Sequence, residues 1–411
     1  MSEQEPVERA YLARALAERT SSLSASEVRA LFAVASRPEV VSLAGGMPFI
    51  SALPMDSIAN GVRDLIATQG TTALQYSSGQ GSPSLREQIL EVMALEGIQD
   101  ATTEDLVVTT GSQHALELLS KLLIDPGDAV IVEGPSYVTA LVVFKSFQAQ
   151  IHHCVMDEHG LDPARLRSLL ESLRASNKRP KFLYTIPNFN NPAGVTLALE
   201  RRSEILKIAT EHELLVIEDN PYGLLYFSSP PPNALRSVDP NVIYLGTFSK
   251  TFAPGLRVGW ALAPKSVREK LILANEAAVL SPSAFNQAIV DWYLRHEDWR
   301  TQVDKYRTLY RERKQALISA LATSLPNCNW TDPDGGFYVW LTLPEGLNSR
   351  ELLPDAVKAG VAYTPGTAFF ADGQGEREIR LSFCLPNPTE IAEGVRRLAK
   401  VVTEKLRANA G

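Results

Sequence analysis

The sequence predicts an α/β fold: a doubly wound, mostly parallel sheet in a large domain, with a smaller α+β domain built from both termini. Three observations carry this expectation. Through the middle of the chain, short unbroken apolar runs alternate with helical patterns, as in sheets covered by helices on both faces. Each run ends in residues such as Gly, Pro, Asn, Asp, Ser or Lys. From about Lys305 the pattern changes to longer charged helices and isolated alternating strands.

In chain order, the first element is an amphipathic stretch, Ser26–Ala35, which stops before Pro38. It reads equally well as a packing helix or as something with a special role. The first 55 residues are expected to join the small domain, 56–305 to form the large one and 306–411 the C-terminal small one. The apolar runs of the large domain are Leu106–Thr109, Ala129–Val132, Phe182–Ile186, Leu214–Glu218 and Val242–Gly246. Runs this short suit strands buried on both faces. Helices are expected over Ser112–Ile124, Pro163–Ala175 and Glu200–Glu213, and Arg257–Ala263 supplies a further strand of undetermined direction. Consecutive prolines make Ser228–Pro232 a surface loop. Beyond it come a charged helix, a strand within Gly335–Leu343, a helix over Ser349–Ala359, a strand over Glu378–Phe383 and a closing helix from Thr389.

The 411 residues carry 40 Lys and Arg against 47 Asp and Glu, a net charge of −7. That balance gives no footprint for nucleic acid or an anionic membrane. No apolar run approaches the roughly 18 residues of a membrane span, and the charged N-terminus lacks the apolar core of a signal peptide. Cys154, Cys328 and Cys384 are far apart and form no metal or redox pair. An odd, sparse set fits a reducing cytoplasm. His152 and His153 are neighbours on an expected strand, so their side chains point to opposite faces and cannot share one site.

In open α/β sheets, ligands bind beyond the carboxyl ends of the strands. Five such ends carry polar residues. Lys250 follows the fifth run, beside Thr247 and Ser249, with Arg257 downstream. A desolvated lysine can form an imine with an aldehyde, and the hydroxyls with a guanidinium fork suit a phosphate. Taken alone, a lysine beside hydroxyls is more often a surface residue. Asp219 ends the fourth run; a carboxylate there must be partnered or wet, and it could pair with a protonated ring nitrogen or simply serve the turn begun by Asn220-Pro221. Tyr222 could donate to a ring oxygen or merely pack. Ser112 and Gln113 open a helix after Gly111, where free N–H groups favour an anion, although such junctions are often plain caps. Tyr137 could stack on a planar ring, and Asn191-Pro192-Ala193-Gly194 otherwise reads as a turn.

Together, and in order, these motifs resemble the class I/II, fold-type-I pyridoxal-phosphate aminotransferases. The segments that carry the resemblance are SLAGGMP (42–48), LQYSSGQGSPSLRE (74–87), TTGSQHALEL (109–118), EGPSY (133–137), PNFNNPAG (187–194), EDNPY (218–222), GTFSKTFAPGLRVGW (246–260), LSPSAFNQ (280–287) and IRLSF (379–383). SLAGGMP and LSPSAFNQ are similar to the kynurenine/2-aminoadipate and multisubstrate aromatic branch. The resemblance implies that the large domain binds pyridoxal 5'-phosphate and that Lys250 carries it as an imine, then shuttles the substrate proton. It implies that Asp219 holds the ring nitrogen, that Asn191 and Tyr222 bond the ring oxygen, and that Tyr137 stacks on the ring. Ser112, Gln113, Thr247, Ser249 and Arg257 would bind the phosphate; Thr247 stands where many relatives have serine and keeps the hydroxyl. Tyr76 would reach the phosphate of a neighbouring subunit in a homodimer with shared sites. Arg380 would clamp the substrate α-carboxylate, with Asn191 and Gly46 beside the substrate. No arginine lies in Leu271–Leu280 to select a distal carboxylate. Arg29, on the Ser26–Ala35 stretch, is a hypothetical contact for an acidic side chain if that helix acts as a lid.

The implied reaction moves an amino group from an L-amino acid, aromatic, 2-aminoadipate-like or otherwise large, to a 2-oxo acid such as 2-oxoglutarate, in a ping-pong cycle. Two alternatives stay open on sequence. One is a lyase, decarboxylase or cyclising enzyme on the same scaffold, since the same lysine and aspartate serve all three. The other is an aminotransferase-like sensor module of a transcription regulator, which the short segment before SLAGG disfavours. No metal site is expected.

Overall fold

The computed structural model describes residues 14–22 and 37–410. After a two-residue strand, β1 (Val41–Ser42), come β2 (Leu106–Thr109), β3 (Ala129–Gly134), β4 (Gln150–Asp157), β5 (Gly160–Leu161), β6 (Phe182–Thr185), β7 (Leu215–Asp219), β8 (Ile243–Thr247) and β9 (Gly259–Leu262); the expected runs supply all of these but β4, which carries the histidine pair, and the short β5. They form one sheet in the order β2-β9-β8-β7-β6-β3-β4-β5. Pairing is parallel from β8 through β7, β6 and β3 to β4. The run of undetermined direction is β9, which lies antiparallel between β8 and β2.

Both faces of this sheet are covered, which explains why its runs are unbroken. Along β3, Val130 and Val132 join one buried cluster with the helices Ser112–Leu123, Val138–Ser146 and Lys265–Val279, while Ile131 joins another with Pro163–Ala175 and Leu199–Glu211. Successive side chains of a strand point to opposite faces, so each must be apolar. Burying one such side chain contributes about 2 kcal/mol. The helix expected over Pro163–Ala175 has those bounds, with Asp162 accepting from the Ala164 and Arg165 N–H groups. The other two expected helices run Ser112–Leu123 and Leu199–Glu211.

The C-terminal part opens on the helix Trp299–Ser324, six residues earlier than the charge pattern suggests; the expected boundary at 305/306 falls inside it. Its apolar stripe packs on the closing helix Pro388–Ala410. Strands β10 (Asn329–Trp330), β11 (Tyr338–Thr342), β12 (Val361–Ala362), β13 (Thr364–Pro365) and β14 (Glu378–Ser382) follow. All but β12 form an antiparallel sheet, β10-β11-β14-β13. Residues 41–43 join the C-terminal part here: β1 pairs with β12, and Leu43 O accepts from Ser382 N at 2.7 Å. This threading carries residues 44–47 to the carboxyl edge of the large sheet.

Candidate active site

The loops after β2, β3, β6, β7 and β8 enclose a cavity of about 290 Å³ together with residues 46–47, Tyr338 and Arg380. Twelve sequence-predicted site residues line it: Gly46, Ser112, Gln113, Tyr137, Asn191, Asp219, Tyr222, Thr247, Ser249, Lys250, Arg257 and Arg380.

Lys250 follows the end of β8. Its Nζ donates to the Gly46 carbonyl at 3.0 Å and lies 5.7 Å from the centre of the Phe337 ring. The side chain keeps some surface open to the cavity, but surrounding protein strips water from the ammonium and pulls its pKa from 10.5 down to about 8. Near neutral pH a usable fraction is therefore the nucleophilic amine. Asp219, at the end of β7, is buried; Oδ2 accepts from Tyr184 at 2.7 Å, while Oδ1 has no partner. Burial pushes this carboxyl up to about 6, against the Tyr184 hydrogen bond and the Lys250 charge.

One end of the cavity is built for an anion. The helix Ser112–Leu123 begins after Gly111 with no side-chain cap, so its first N–H groups remain available. Thr247 Oγ1 and Ser249 Oγ lie 2.9 Å apart, and Arg257 Nη1 donates to Ser249 Oγ at 3.4 Å. Arg257 adopts a left-handed backbone, φ 52°, which turns its guanidinium toward the helix start. Gly111 is required there: at φ +84°, an added Cβ would sit 2.6 Å from Arg257 Nη2.

The opposite wall holds Arg380, which is 3% exposed. It donates to Asn191 Oδ1 at 2.9 Å and Ala44 O at 2.6 Å, and its guanidinium carbon lies 4.3 Å from the Tyr338 ring centre and 4.8 Å from that of Phe369. Among the described residues no carboxylate pairs with it. Tyr222 packs edge-on to Phe337 and Tyr338, and burial raises its phenol well above the ordinary value, so it is a neutral hydroxyl. Tyr137, at the start of the helix Val138–Ser146, is likewise kept neutral by burial.

Two predicted residues stand apart. Tyr76 is 77% exposed and outside the cavity. Arg29 and the stretch Ser26–Ala35 lie outside the described residues. Conversely, sequence reasoning missed Tyr184, Tyr338 and Glu133 as site-building residues. Glu133, at the end of β3, accepts from Thr185 Oγ1, Ile186 N and Asn190 Nδ2 at 2.5–2.9 Å and so pins the loop that carries Asn191. The sequence signal was a buried acid inside an apolar run. Tyr338 had only strand alternation to mark it.

Pyridoxal phosphate fits these residues. The unpartnered Oδ1 of Asp219 calls for a cationic N–H such as a protonated ring nitrogen. The deprotonatable amine suits an aldehyde, and the uncapped helix with its hydroxyls and guanidinium suits a phosphate dianion. Sheet and site together define a fold-type-I pyridoxal-phosphate enzyme. The family model "Aminotransferase class I and II" matches residues 39–398, and the chain belongs to that family. It is 36% identical over 393 residues to aromatic-amino-acid aminotransferase 1 of Thermococcus litoralis, covering 95% of this chain and 94% of that one. It is 36% identical over 386 residues to the 2-aminoadipate transaminase of Thermus thermophilus, covering 92% and 94%. A kynurenine aminotransferase structure from Pyrococcus horikoshii superposes with a TM-score of 0.92 at 34% identity, over 97% of this chain and 99% of that one. The protein is a pyridoxal-phosphate-dependent aminotransferase, in agreement with the expected fold, cofactor and enzyme class.

Proposed function

We propose that the chain transfers the amino group of a large L-amino acid, aromatic or 2-aminoadipate-like, to 2-oxoglutarate in a ping-pong cycle. The observation that carries the reading is Arg380: a buried guanidinium on the cavity wall, without a carboxylate partner among the described residues. A buried charge of this kind needs an anion, and the α-carboxylate common to donor and acceptor supplies it. The donor class rests on the relatives named for aromatic amino acids, 2-aminoadipate and kynurenine.

Bound in this cavity, pyridoxal phosphate supplies an aldehyde to take up the amine and a ring that delocalises charge from the substrate Cα. Lys250 would hold it and, freed as a neutral amine when the substrate amine takes its place, would accept the Cα proton on Nζ and pass it to the cofactor's former aldehyde carbon, reversing that transfer in the second half of the cycle. Asp219 keeps the ring nitrogen protonated through Oδ1. Tyr222 and Asn191 would hold the ring oxygen, and Tyr137 would cover a ring face. Ser112, Gln113, Thr247, Ser249 and Arg257 hold the phosphate. Arg380, with Gly46 and Asn191 beside it, fixes the carboxylate so that the Cα–H faces Lys250.

The working form in this reading is a cytoplasmic homodimer with shared sites, Tyr76 completing the partner's phosphate site. Exposed Leu74 and Tyr76 support it, because their loop packs beside the helix end bearing exposed Leu273, Val279 and Leu280. Free cysteines and the absence, among the described residues, of any helix long and apolar enough to cross a membrane are consistent with that location. The division into a large domain from residue 56 and a C-terminal small domain is likewise a proposal, with the helix Trp299–Ser324 bridging the expected boundary. An absorbance-monitored half-reaction against an amino-acid panel tests the donor class; a preference for small or four-carbon acidic donors would overturn it.

A further inference from the structure

His152 and His153 lie on β4, and His153 faces the side crossed by the segment after β13. Its ring is engaged at both nitrogens: Nδ1 is 2.9 Å from the Glu133 carbonyl oxygen and Nε2 is 2.8 Å from the Ala371 backbone nitrogen. A carbonyl only accepts and a backbone N–H only donates. One form satisfies both, a neutral ring with its proton on Nδ1. An imidazolium would point a second donor at the Ala371 N–H and lose that bond.

The same segment is tied to the large sheet at two further points. Ser136 N donates to Phe369 O at 3.0 Å, and Lys145 Nζ to Ala371 O at 3.3 Å. Phe370 packs on the His153 ring with centres 5.2 Å apart. Phe369 reaches inward, edge-on to Trp340 and 4.8 Å from the guanidinium carbon of Arg380. One aromatic wall of Arg380 is therefore set by a segment that His153 holds.

We propose that His153 is a positioning residue for Arg380: its neutral ring pins residues 369–371 to the large sheet and, through Phe369, fixes the carboxylate-binding guanidinium. This rests on the reading of Arg380 as the clamp for the substrate α-carboxylate. The charged and titratable groups around the ring are Lys145 from the helix Val138–Ser146, Asp372 from the crossing segment, His152 beside it on β4, and Glu133 on β3. The Glu133 carboxylate is turned away, toward Thr185, Ile186 and Asn190. Burial holds the imidazole below its usual value; the Glu133 carbonyl and Asp372 oppose this, and Lys145 adds to it. The neutral form therefore predominates at neutral pH, and the latch weakens as the pH falls below that lowered value.

The test is steady-state kinetics of the holoenzyme over roughly pH 5 to 8, with 2-oxoglutarate and the faster of L-phenylalanine and L-2-aminoadipate. H153F keeps a packed ring without the acceptor, and H153Q offers a carbonyl to the Ala371 N–H that does not titrate. H153F is expected to raise KM for both substrates about 5–10-fold at every pH, the loss of one partly buried hydrogen bond, with kcat and the cofactor absorbance unchanged. H153Q is expected to keep the neutral-pH KM and to lose the wild-type rise in KM at low pH. A wild-type KM and pH profile in H153F, or a fall in kcat with unchanged KM, overturns the proposal. If H153F does not fold, H153Q decides: an undiminished low-pH rise overturns it. R380A separates the two readings, because an unchanged KM there defeats the clamp itself, whereas a raised KM with a silent H153F defeats only the role of His153.

Discussion

Tyr184 donates to Oδ2 of Asp219 at 2.7 Å and leaves Oδ1 as the unpartnered buried oxygen of the site. The two residues lie toward the carboxyl ends of neighbouring parallel strands, β6 and β7, in a sheet buried on both faces. The phenol fixes the carboxylate's orientation and opposes the burial that would protonate it. Replacing Tyr184 with phenylalanine removes one hydrogen bond to a charged group, about 1.5–3 kcal/mol. Cofactor affinity, measured by titrating the apo-protein, is expected to weaken about 10-fold or more, with the fold kept and the melting temperature lowered by several degrees. Asp219→Asn is expected to cost over about a hundredfold in kcat, because the buried cationic partner loses its counter-charge.

The lysine sets the pH dependence of cofactor loading. With its pKa lowered to about 8 by burial, the amine fraction grows as pH rises and levels off above that value. The rate at which apo-protein takes up pyridoxal phosphate, followed by absorbance, is expected to climb through about pH 8 rather than through the ordinary lysine value of 10.5. A depressed lysine also has a stability sign. Below 10.5 the unfolded chain is protonated while the fold resists the charge, so Lys250 increasingly destabilises the apo-fold until pH falls past about 8. Lys250→Met apo-protein should accordingly melt higher than wild type at neutral pH.

Gly46 is fixed by close approach. An added Cβ would fall 1.8 Å from the Tyr338 hydroxyl and 3.0 Å from its ring carbon. Gly46→Ala must push the loop or the ring, and the same loop carbonyl accepts from Lys250. Overpacking of this kind costs roughly 1–3 kcal/mol, and kcat/KM is expected to fall by about 5- to 150-fold. Tyr338→Phe in the same chain removes the hydroxyl and should restore part of the loss, which a double-mutant cycle would measure.

Glu133 meets three donors with two oxygens. Burial nonetheless pushes its carboxyl up to about 7 from 4.5. Between those values the unfolded chain ionises first, so this residue's contribution to stability declines as pH rises from about 4.5 to about 7. Glu133→Gln replaces an acceptor with an N–H group that faces donors. A loss of about 1–3 kcal/mol in denaturant unfolding is expected, together with a raised KM, because Asn191 and its bond to Arg380 follow the loop.

Much of the site was legible in the chain itself. The buried runs marked the strands because two-sided burial leaves no room for polar alternation. The polar residues just beyond them marked the ligand edge because parallel strands bring their carboxyl ends to one side. Asp219, Lys250, Ser112 and Arg257 were found in this way, and the order of the motifs pointed to the family. The direction of β9 was not legible, since four apolar residues read the same in either pairing. His152 and His153 were correctly placed on opposite faces, but what each face met was hidden.

The sequence by itself determined the strands, their polar ends and the chemical types available there, because periodicity and burial act over a few neighbouring residues. Only the tertiary structure decided which of those groups touch. Lys250 reaches Gly46 across 204 positions, Arg380 reaches Asn191 across 189, and His153 reaches Ala371 across 218. Such contacts depend on how β1 threads beside β12 and how the C-terminal segment crosses β3 and β4. The packing of whole elements settles both, and it leaves no local pattern in the chain.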